Sequence, residues 1–344
     1  MTLVNIVGDF FSSVAPVFYE FRDRVTTHII VSDNSKRDSK KAGEFRKGVR
    51  NFCIENGLNI TQHFVTINED SDSAIEKLIK FINENADSEV YINITDGLSS
   101  VHTMLVRKMK NVNFIAYDIF DNEYHIISER GTVMKKEAEC MSIKDHLLLK
   151  NIELLEYDTL EFANRYAKEI IMIFERYNGE FVEYKKHLSK HRKIPPVTKF
   201  KNIESIISKM DLPREYNKIY KLFTGTFFEY YVYLKMKEAG FYDVGVGIKI
   251  RQNELVNEFD VVVMQSNHLH IIECKYKEGK TLQLDTIIYR YSVLREMVDY
   301  DSKAAIVSLA DYGENIKLRA ESLGIGLFNL RTLKNLPKFL NDKN

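Results

Sequence analysis

Five apolar runs that alternate with helical stretches dominate the first 140 residues of this chain. The runs begin at Leu3, His28, Gln62, Glu89 and Asn113, and the helical stretches lie near residues 14–23, 40–56, 72–85 and 99–109. Strands that alternate with helices pair in parallel, because each helix carries the chain back across the sheet. The pattern therefore predicts a parallel α/β sheet with Rossmann-like winding.

The loops after these strands are candidates for a ligand site, because ligands of such sheets bind beyond the carboxyl ends of the strands. The candidate residues are Gly8, Ser12, Ser13, Asp33, Asn34, Asn93, Thr95, Asp96, Gly97, Leu98, Ser99 and Ser100. Glycine and small hydroxyl residues at helix N-termini expose backbone N–H groups, which favour phosphate oxygens. Ordinary helix capping would explain each loop taken alone. The chain contains neither GxGxxG nor GxxxxGK[ST], so neither a dehydrogenase nor a P-loop enzyme is supported.

Residues 256–277 predict a β-hairpin that carries two carboxylates and a lysine. A two-residue turn at residues 266–267 sets a register that places Asp260 opposite Glu273. Cross-strand neighbours lie about 5 Å apart at Cβ, so the two carboxylates could share one Mg²⁺ or Mn²⁺ ion. The ammonium of Lys275 could then orient an attacking water for hydrolysis of a phosphodiester.

An exposed hairpin without function would show the same residue types, since opposed Glu and Lys are ordinary on a solvated face. The nearly continuous apolar runs at residues 261–264 and 269–272 argue against it, because they suit a sheet that is covered on both faces. In the predicted register Glu258 faces Lys275. Glu258 is therefore either a further metal ligand or the ion-pair partner of the lysine.

The spacing D-x12-E-x-K in this hairpin resembles the PD-(D/E)xK nuclease superfamily, which includes restriction endonucleases. Phe259 stands where that motif has proline, a common departure. The resemblance implies a metal ion held by Asp260, Glu273 and the backbone carbonyl of Cys274. It also implies that Lys275 is catalytic.

A helix bearing a glutamate precedes the hairpin, as in the same superfamily. Residues 225–240 predict this helix, and Glu229 interrupts an otherwise apolar stripe along it. A carboxylate in an apolar stripe is costly unless it meets a cation or a donor, so Glu229 is a candidate auxiliary acid of the metal site. A later helix carries Tyr289 and Arg290, which could contact a strand or simply lie on the surface.

A Rossmann-like domain joined to this nuclease motif resembles the CRISPR-associated Rossmann-fold (CARF) effectors of type III CRISPR systems. Many CARF domains carry N-x-T-G-G-T-K after the fourth strand, and the segment NITDGLS keeps Asn93, Thr95 and Gly97. Asp96 replaces a glycine and the final lysine is absent, which leaves the ring size of the ligand open. The resemblance implies a homodimer whose cleft binds a cyclic oligoadenylate, with cyclic tetra-adenylate the leading candidate, and so activates the nuclease.

These patterns together predict an α/β protein in three parts. They are a Rossmann-like CARF domain over residues 1–141, a helical connector over residues 142–200 and a restriction-endonuclease-like α/β/α domain over residues 201–344. The expected activity is cleavage of DNA or RNA, with single strands favoured, during antiviral defence. Two alternatives stay open: a constitutive restriction or repair nuclease with an N-terminal dimerisation domain, and a non-enzymatic nucleotide-sensing regulator.

Composition excludes several other classes. The three cysteines lack CxxC spacing and so indicate neither a zinc site nor a disulfide framework, which fits a reducing cytoplasm. The sequence contains no apolar run of membrane-spanning length and no signal-peptide pattern, so we expect a cytoplasmic protein without a membrane partner. The formal net charge is zero, so any affinity for nucleic acid must come from local basic surface.

Overall fold

A computed structural model shows two β-sheets with helices packed against them. It describes the chain except for residues 9–10, 35, 68–70, 88, 98, 197, 213–214, 276–280, 299–300, 310 and 343–344. The strands are β1 (Thr2–Val7), β2 (Thr27–Asp33), β3 (Thr61–Ile67), β4 (Val90–Asn93), β5 (Val112–Asp118), β6 (Glu123–Ile127), β7 (Val133–Glu137), β8 (Glu153–Glu156), β9 (Asp243–Gln252), β10 (Leu255–Gln265), β11 (His268–Lys275), β12 (Ala304–Ser308) and β13 (Ile325–Asn329).

The α-helices are α1 (Ala15–Phe21), α2 (Lys36–Glu55), α3 (Asp72–Asn85), α4 (Ser99–Lys108), α5 (Ile143–Leu149), α6 (Glu161–Arg165), α7 (Ala167–Arg176), α8 (Asn178–His191), α9 (Lys201–Ile207), α10 (Tyr216–Lys221), α11 (Phe227–Glu238), α12 (Thr281–Val298), α13 (Glu314–Ser322) and α14 (Leu336–Asn341). Two 3-10 helices cover Phe11–Ser13 and Leu333–Asn335, and a π-helix covers Leu222–Thr226. Within the described residues, no helix has both the length and the apolar composition needed to cross a membrane.

The first sheet has the described strands in the order β3-β2-β1-β4-β5-β6-β7. Strands β1 to β5 are parallel, which confirms the five predicted strands and their Rossmann-like winding. Strands β6 and β7 were not predicted, and they extend the sheet as an antiparallel meander. The connection from β5 to β6 is too short for a crossover, so the chain must turn back antiparallel. The exposed residues of β7 give no apolar run that could have indicated it.

The second sheet has the order β13-β12-β11-β10-β9-β8. Strands β11 to β13 are parallel, and the other pairs are antiparallel. The pairs from Val261 with Ile272 to Gln265 with His268 have the register predicted for the hairpin. Residues 266 and 267 have φ angles of 50° and 63°, as a two-residue turn of the hairpin type requires.

Residues 142–200, expected as a helical connector, contain helices α5 to α8 but also strand β8. This strand was not predicted, and it pairs with β9 at the edge of the second sheet. Four partly exposed residues are too few to show a strand periodicity. Helix α5 packs so closely on α2 that a Cβ at Gly48 would lie 1.9 Å from the Leu149 carbonyl oxygen. The domain boundaries at residues 141 and 200 stay a prediction.

Both faces of the second sheet are covered. Helices α7, α8, α9 and α11 pack on one face together with Ile272 and Cys274. Helices α5, α12 and α13 pack on the other face together with Ile271 and Tyr291. Helix α5 also places Leu149 in the core of the first sheet, so it joins the two halves of the molecule. The catalytic candidates lie at one end of this covered sheet.

Candidate active site

The β10–β11 ladder ends at the pair of Val261 with Ile272, and the two hairpin carboxylates are the next residue on each strand. Asp260 Oδ2 accepts a hydrogen bond of 2.7 Å from the backbone N–H of Cys274, which ties the two strands together at this end. Asp260 is half-buried and Glu273 is only 4% exposed. The predicted register therefore brings Asp260 and Glu273 to the same end of the hairpin.

A local irregularity in the sheet sets the direction of Asp260. The β9–β10 ladder pairs Phe259 with Ile248 and Val261 with Val246, but it is interrupted between them, where Gly247 has a φ of 61°. Phe259 and Val261 pack in cores on opposite faces, whereas regular alternation would place both on one face. The strand therefore twists at Asp260, and glycine supplies the left-handed backbone conformation opposite it.

Glu273 is held on two sides. The Lys275 ammonium forms an ion pair with its Oε1, and the Tyr291 hydroxyl donates a hydrogen bond to its Oε2. Tyr291 belongs to α12, is fully buried, and stands edge-to-face with Phe259 at 6.5 Å between ring centroids. A buried carboxylate needs such partners, because desolvation without them is costly.

Glu229 approaches the site from α11, on the other face of the sheet. The π-helix Leu222–Thr226 precedes α11 directly, and π-helical turns occur often at functional sites. A Cβ at Gly225 would lie 2.9 Å from Glu229 Oε1, so the carboxylate folds back over the bare glycine. The predicted helix is confirmed, and Gly225 provides the space that Glu229 occupies.

These ionisable side chains form one cluster, because they shift one another's pKa values. Burial, followed by repulsion from Glu273 and Glu229, raises the pKa of Asp260 to about 8. Burial, followed by repulsion from Glu258, raises the pKa of Glu229 to about 7. Burial lowers the pKa of Lys275, but its attraction and hydrogen bond to Glu273, together with its attraction to Asp260, outweigh burial and leave the pKa above its ordinary value. The cluster holds more negative charge than its own lysine can neutralise.

Glu258 and the α12 candidates lie further out. Glu258 is exposed and pairs across β9–β10 with Lys249, while Lys275 forms its ion pair with Glu273. Tyr289 is 53% exposed and Arg290 is exposed on the same helix that contributes Tyr291. The Arg319 guanidinium lies over the Tyr289 ring, 5.9 Å from its centroid.

The oxygen atoms of Asp260, Glu273 and the Cys274 carbonyl are ligands of the kind that a divalent cation such as Mg²⁺ binds. Among the described residues, no three His, Cys, Asp or Glu side chains lie close enough to hold a metal ion. Two carboxylates and one backbone carbonyl need no third side chain, because Mg²⁺ commonly keeps several waters. Burial and the neighbouring carboxylates raise the pKa of Asp260 despite the attraction of Lys275, so a further positive charge would favour its ionised form. Asp260, Glu273 and the Cys274 carbonyl therefore fit a hard cation by their chemistry.

The loop candidates of the first sheet surround a buried polar centre. Asn93 is fully buried, and its Nδ2 donates to Asn5 Oδ1 at 2.8 Å and to the Ser13 carbonyl at 3.0 Å. Its Oδ1 accepts from the backbone N–H of Thr95 at 3.0 Å and from the Thr95 hydroxyl at 2.6 Å. The Asn93 side chain thus holds the start of the loop after β4 through its bonds to Thr95.

Above this centre lies a cavity of about 120 Å³ whose lining includes Gly8, Asp33, Asp96 and Gly97. A Cβ at Gly8 would lie 2.7 Å from both Asp96 Oδ1 and the Gly97 nitrogen, so glycine is required where the two loops meet. Ligand pockets for drug-sized molecules usually measure about 300–1,000 Å³, so one chain alone does not enclose a nucleotide here.

The remaining described loop candidates do not line this cavity. Ser13 is buried and donates to Asp96 Oδ2 at 3.1 Å, and buried Ser12 donates to Asp301 Oδ2 at 3.4 Å. Asn34 and Ser99 are exposed, Ser100 is partly buried, and Leu98 lies outside the described residues.

The position of the carboxylate cluster, at the end of a covered sheet, agrees with what sequence comparison finds for this part of the chain. Residues 216–344 match a family model described as Card1-like, endonuclease domain. We call residues 216–344 the Card1-like segment. It contains the hairpin, α11 and α12, and hence all four catalytic candidates. No curated protein sequence matches the chain.

Two solved structures share the fold of the whole chain. Protein VC1899 from Vibrio cholerae is 18% identical, with a TM-score of 0.76, and the match covers 99% of this chain and 97% of that one. Can2 from Sulfobacillus thermosulfidooxidans, solved in complex with cyclic tetra-adenylate, is 14% identical, with a TM-score of 0.73 and 99% of each chain covered. These two structures confirm the predicted α/β fold, and together with the match to the Card1-like endonuclease domain they confirm the predicted resemblance.

Sequence reasoning missed three residues of the Card1-like segment. Nothing in the spacing of Tyr291 indicates that its hydroxyl reaches Glu273. Gly247 and Gly225 gave a weak signal, because an isolated glycine within a strand or helix often marks an irregular backbone, as at Gly247, or a close approach, as at Gly225.

Proposed function

We propose that this protein is a metal-dependent endonuclease, activated by a cyclic oligoadenylate that binds between the first sheets of two copies. Cyclic tetra-adenylate is the leading activator, and type III CRISPR antiviral defence is the setting. One observation carries the proposal: Asp260, Glu273 and Lys275 meet Glu229 at the end of a covered sheet, within the segment that matches an endonuclease family.

The carboxylates are the groups that would hold the cation. Asp260, Glu273 and the backbone carbonyl of Cys274 would bind Mg²⁺ or Mn²⁺, with Glu258 close enough to Glu229 to influence its charge. When bound, the cation supplies positive charge that stabilises the phosphate as it is attacked. Its charge also favours the ionised form of Asp260, whose pKa is raised by burial and by the neighbouring carboxylates.

The other side chains orient groups at the site or exchange protons. Lys275 lies against Glu273, where its ammonium can orient the attacking water and stabilise negative charge on the phosphate. The Tyr291 hydroxyl keeps the Glu273 carboxylate in one orientation. A carboxyl with a pKa of about 7 can take up a proton near neutral pH, so Glu229 suits an auxiliary acid–base role.

The ligand site is proposed from the loops and from the similar structures. Can2, which shares this fold, was solved with cyclic tetra-adenylate. The small cavity of one chain would become part of a larger cleft when two copies face each other. Asp33 and Asp96 are acceptors, so we assign them to ribose hydroxyl or adenine amino groups rather than to phosphates.

Single-stranded DNA or RNA is the favoured substrate. Tyr289 is exposed near the site, and an exposed aromatic ring can stack on an unpaired base. Arg290 lies beside it and can meet a backbone phosphate.

The test is a cleavage assay with single-stranded and duplex DNA and RNA, with Mn²⁺ or with EDTA, and with or without cyclic tetra-adenylate. We expect cleavage only with Mn²⁺ and the activator, and loss of cleavage in Asp260→Asn and Glu273→Gln. Titration should give one cyclic tetra-adenylate for two chains. Equal cleavage without the activator would support a constitutive nuclease, and activator binding without any cleavage would support a non-enzymatic regulator.

A further inference from the structure

We propose that Asn122 and Asn267, called here the amide pair, form the contact through which the ligand loops of the first sheet control the nuclease hairpin. The inference rests on the proposed function and deepens it by naming the point of coupling. Asn122 follows β5 in the first sheet, and Asn267 lies in the turn between β10 and β11.

The first sheet holds the turn of the hairpin. Asn267 is only 1% exposed, and its Nδ2 donates to Asn122 Oδ1 at 2.8 Å and to the Glu139 carbonyl at 3.0 Å. Its Oδ1 accepts from the backbone N–H of Met141 at 2.7 Å. Each of these bonds joins the Card1-like segment to the β5–β7 region. A surface turn has no need of buried amide bonds to another domain, so this arrangement fixes the hairpin to the first sheet.

A neighbouring contact strengthens the same junction. The His268 Nε2 lies 3.0 Å from the Ile119 carbonyl oxygen, just after β5. A ring nitrogen must donate to a carbonyl, so Nε2 carries the hydrogen of this bond. Two consecutive residues of the hairpin are therefore bound to the segment between β5 and β6.

On the ligand side, hydrogen bonds continue from the amide pair to the loop after β4. The Tyr117 hydroxyl donates to Asn122 Oδ1 at 2.7 Å, and the Tyr117 backbone N–H donates to Thr95 Oγ1 at 2.8 Å. Thr95 precedes Asp96, which lines the cavity. A ligand that moves this loop therefore acts on a connected set of buried bonds that ends at Asn267.

On the catalytic side, the hairpin itself carries the movement. Its ladder runs without a break from Gln265 with His268 to Val261 with Ile272, and Asp260 and Glu273 follow. At about 3.3 Å per residue, the carboxylates lie roughly 17 Å from the turn. The two strands are paired along this whole length, so a shift of the turn is transmitted along the ladder to the carboxylates at its far end.

The backbone offers a clean way to remove the amide pair. Asn122 and Asn267 have φ angles of 54° and 63°, a conformation that glycine adopts without strain. Substitution by glycine therefore removes the amide and keeps the turn. Asn253 is a matched control, because it has a φ of 56° in the exposed turn between β9 and β10.

The experiment compares cleavage rates with and without cyclic tetra-adenylate in the full-length protein with Mn²⁺. Asn122→Gly and Asn267→Gly should each lower the stimulation ratio about fivefold or more, whereas Asn253→Gly should keep the wild-type ratio. The double variant should lose less than the sum of the two single variants, because the two side chains share one hydrogen bond. Tyr117→Phe removes one hydroxyl from Asn122 and should lower the ratio about twofold.

Binding gives a second measurement that a merely structural role would not change. Coupling is reciprocal, so uncleaved substrate analogue should tighten cyclic tetra-adenylate binding in wild type and should do so less in the amide-pair variants. Amide-pair variants that keep the wild-type stimulation ratio would overturn the coupling. Variants whose cleavage falls by the same factor with and without cyclic tetra-adenylate would also overturn it. If the glycine variants fail to fold, Tyr117→Phe decides between the same outcomes. A wild type that ignores the activator overturns the proposed function and the coupling together, whereas a responsive wild type with responsive variants overturns the coupling alone.

Discussion

Substitution of Gly225 by alanine tests whether the position of the Glu229 carboxylate matters for cleavage. The new Cβ would lie 2.9 Å from Glu229 Oε1, and the next nearest atom, Cδ of the same side chain, is 4.0 Å away. Ordinary van der Waals contact begins near 3.4 Å, so the carboxylate oxygen must move by about 0.5 Å. The obstacle is the end of a flexible side chain, so the backbone can stay in place.

Stability and activity should therefore change in different ways. Alanine in a helix is favoured over glycine by about 0.5–1 kcal/mol, so the free energy of unfolding should be unchanged or slightly higher. A misplacement of about 1 Å can cost roughly 100-fold in rate, so a shift half as large should lower the cleavage rate about tenfold. Glu229→Gln should lower the rate at least as much, since it removes the titrating group itself.

The assay measures the initial rate of cleavage of a labelled single strand with Mn²⁺ and saturating cyclic tetra-adenylate, and denaturant unfolding of the same preparations. Gly179→Ala is the matched control, because Gly179 lies in α8 with nothing within 4 Å of its would-be Cβ. A folded Gly225→Ala protein that cleaves at the wild-type rate would refute the role assigned to Glu229.

Three further predictions concern stability and metal binding. Tyr291→Phe should lower the free energy of unfolding in EDTA by about 2 kcal/mol, because buried Glu273 loses a hydrogen bond, whereas exposed Tyr289→Phe should change nothing in denaturant unfolding. Burial lowers the pKa of His28 to about 3, so the folded protein resists a proton that the unfolded chain accepts below pH 6.5. The stability advantage of wild type over His28→Gln should therefore shrink by about 1 kcal/mol between pH 7 and 5.5, and a constant difference would contradict the burial argument. Mn²⁺ should raise the melting temperature of wild type but not of Asp260→Asn, and equal shifts would place the metal elsewhere.

Much of the fold could be predicted because apolar runs and turns are local signals. The five parallel strands follow from alternation, and the hairpin register follows from the residues on either side of the turn at 266–267. Strands β6, β7 and β8 could not be predicted, because short, partly exposed strands lack a marked periodicity.

The residues of the site also differ in how far local sequence signals could predict them. Asp260, Glu273 and Lys275 could be grouped because neighbours on a hairpin are set by register alone. Contacts between distant elements could not be predicted, as Tyr291 against Glu273 and Asn267 against Asn122 show. Such contacts depend on how helices and sheets pack, which no local pattern encodes.

The central claim is that a ligand of the first sheet switches a metal-dependent nuclease in the second. The most direct measurement is the rate of single-strand cleavage by the wild-type protein with Mn²⁺, before and after addition of cyclic tetra-adenylate to the same sample. The account predicts little cleavage before addition, a large rise after it, and no rise in Glu273→Gln. A rate that is already maximal before addition, or a rise that persists in Glu273→Gln, would contradict it.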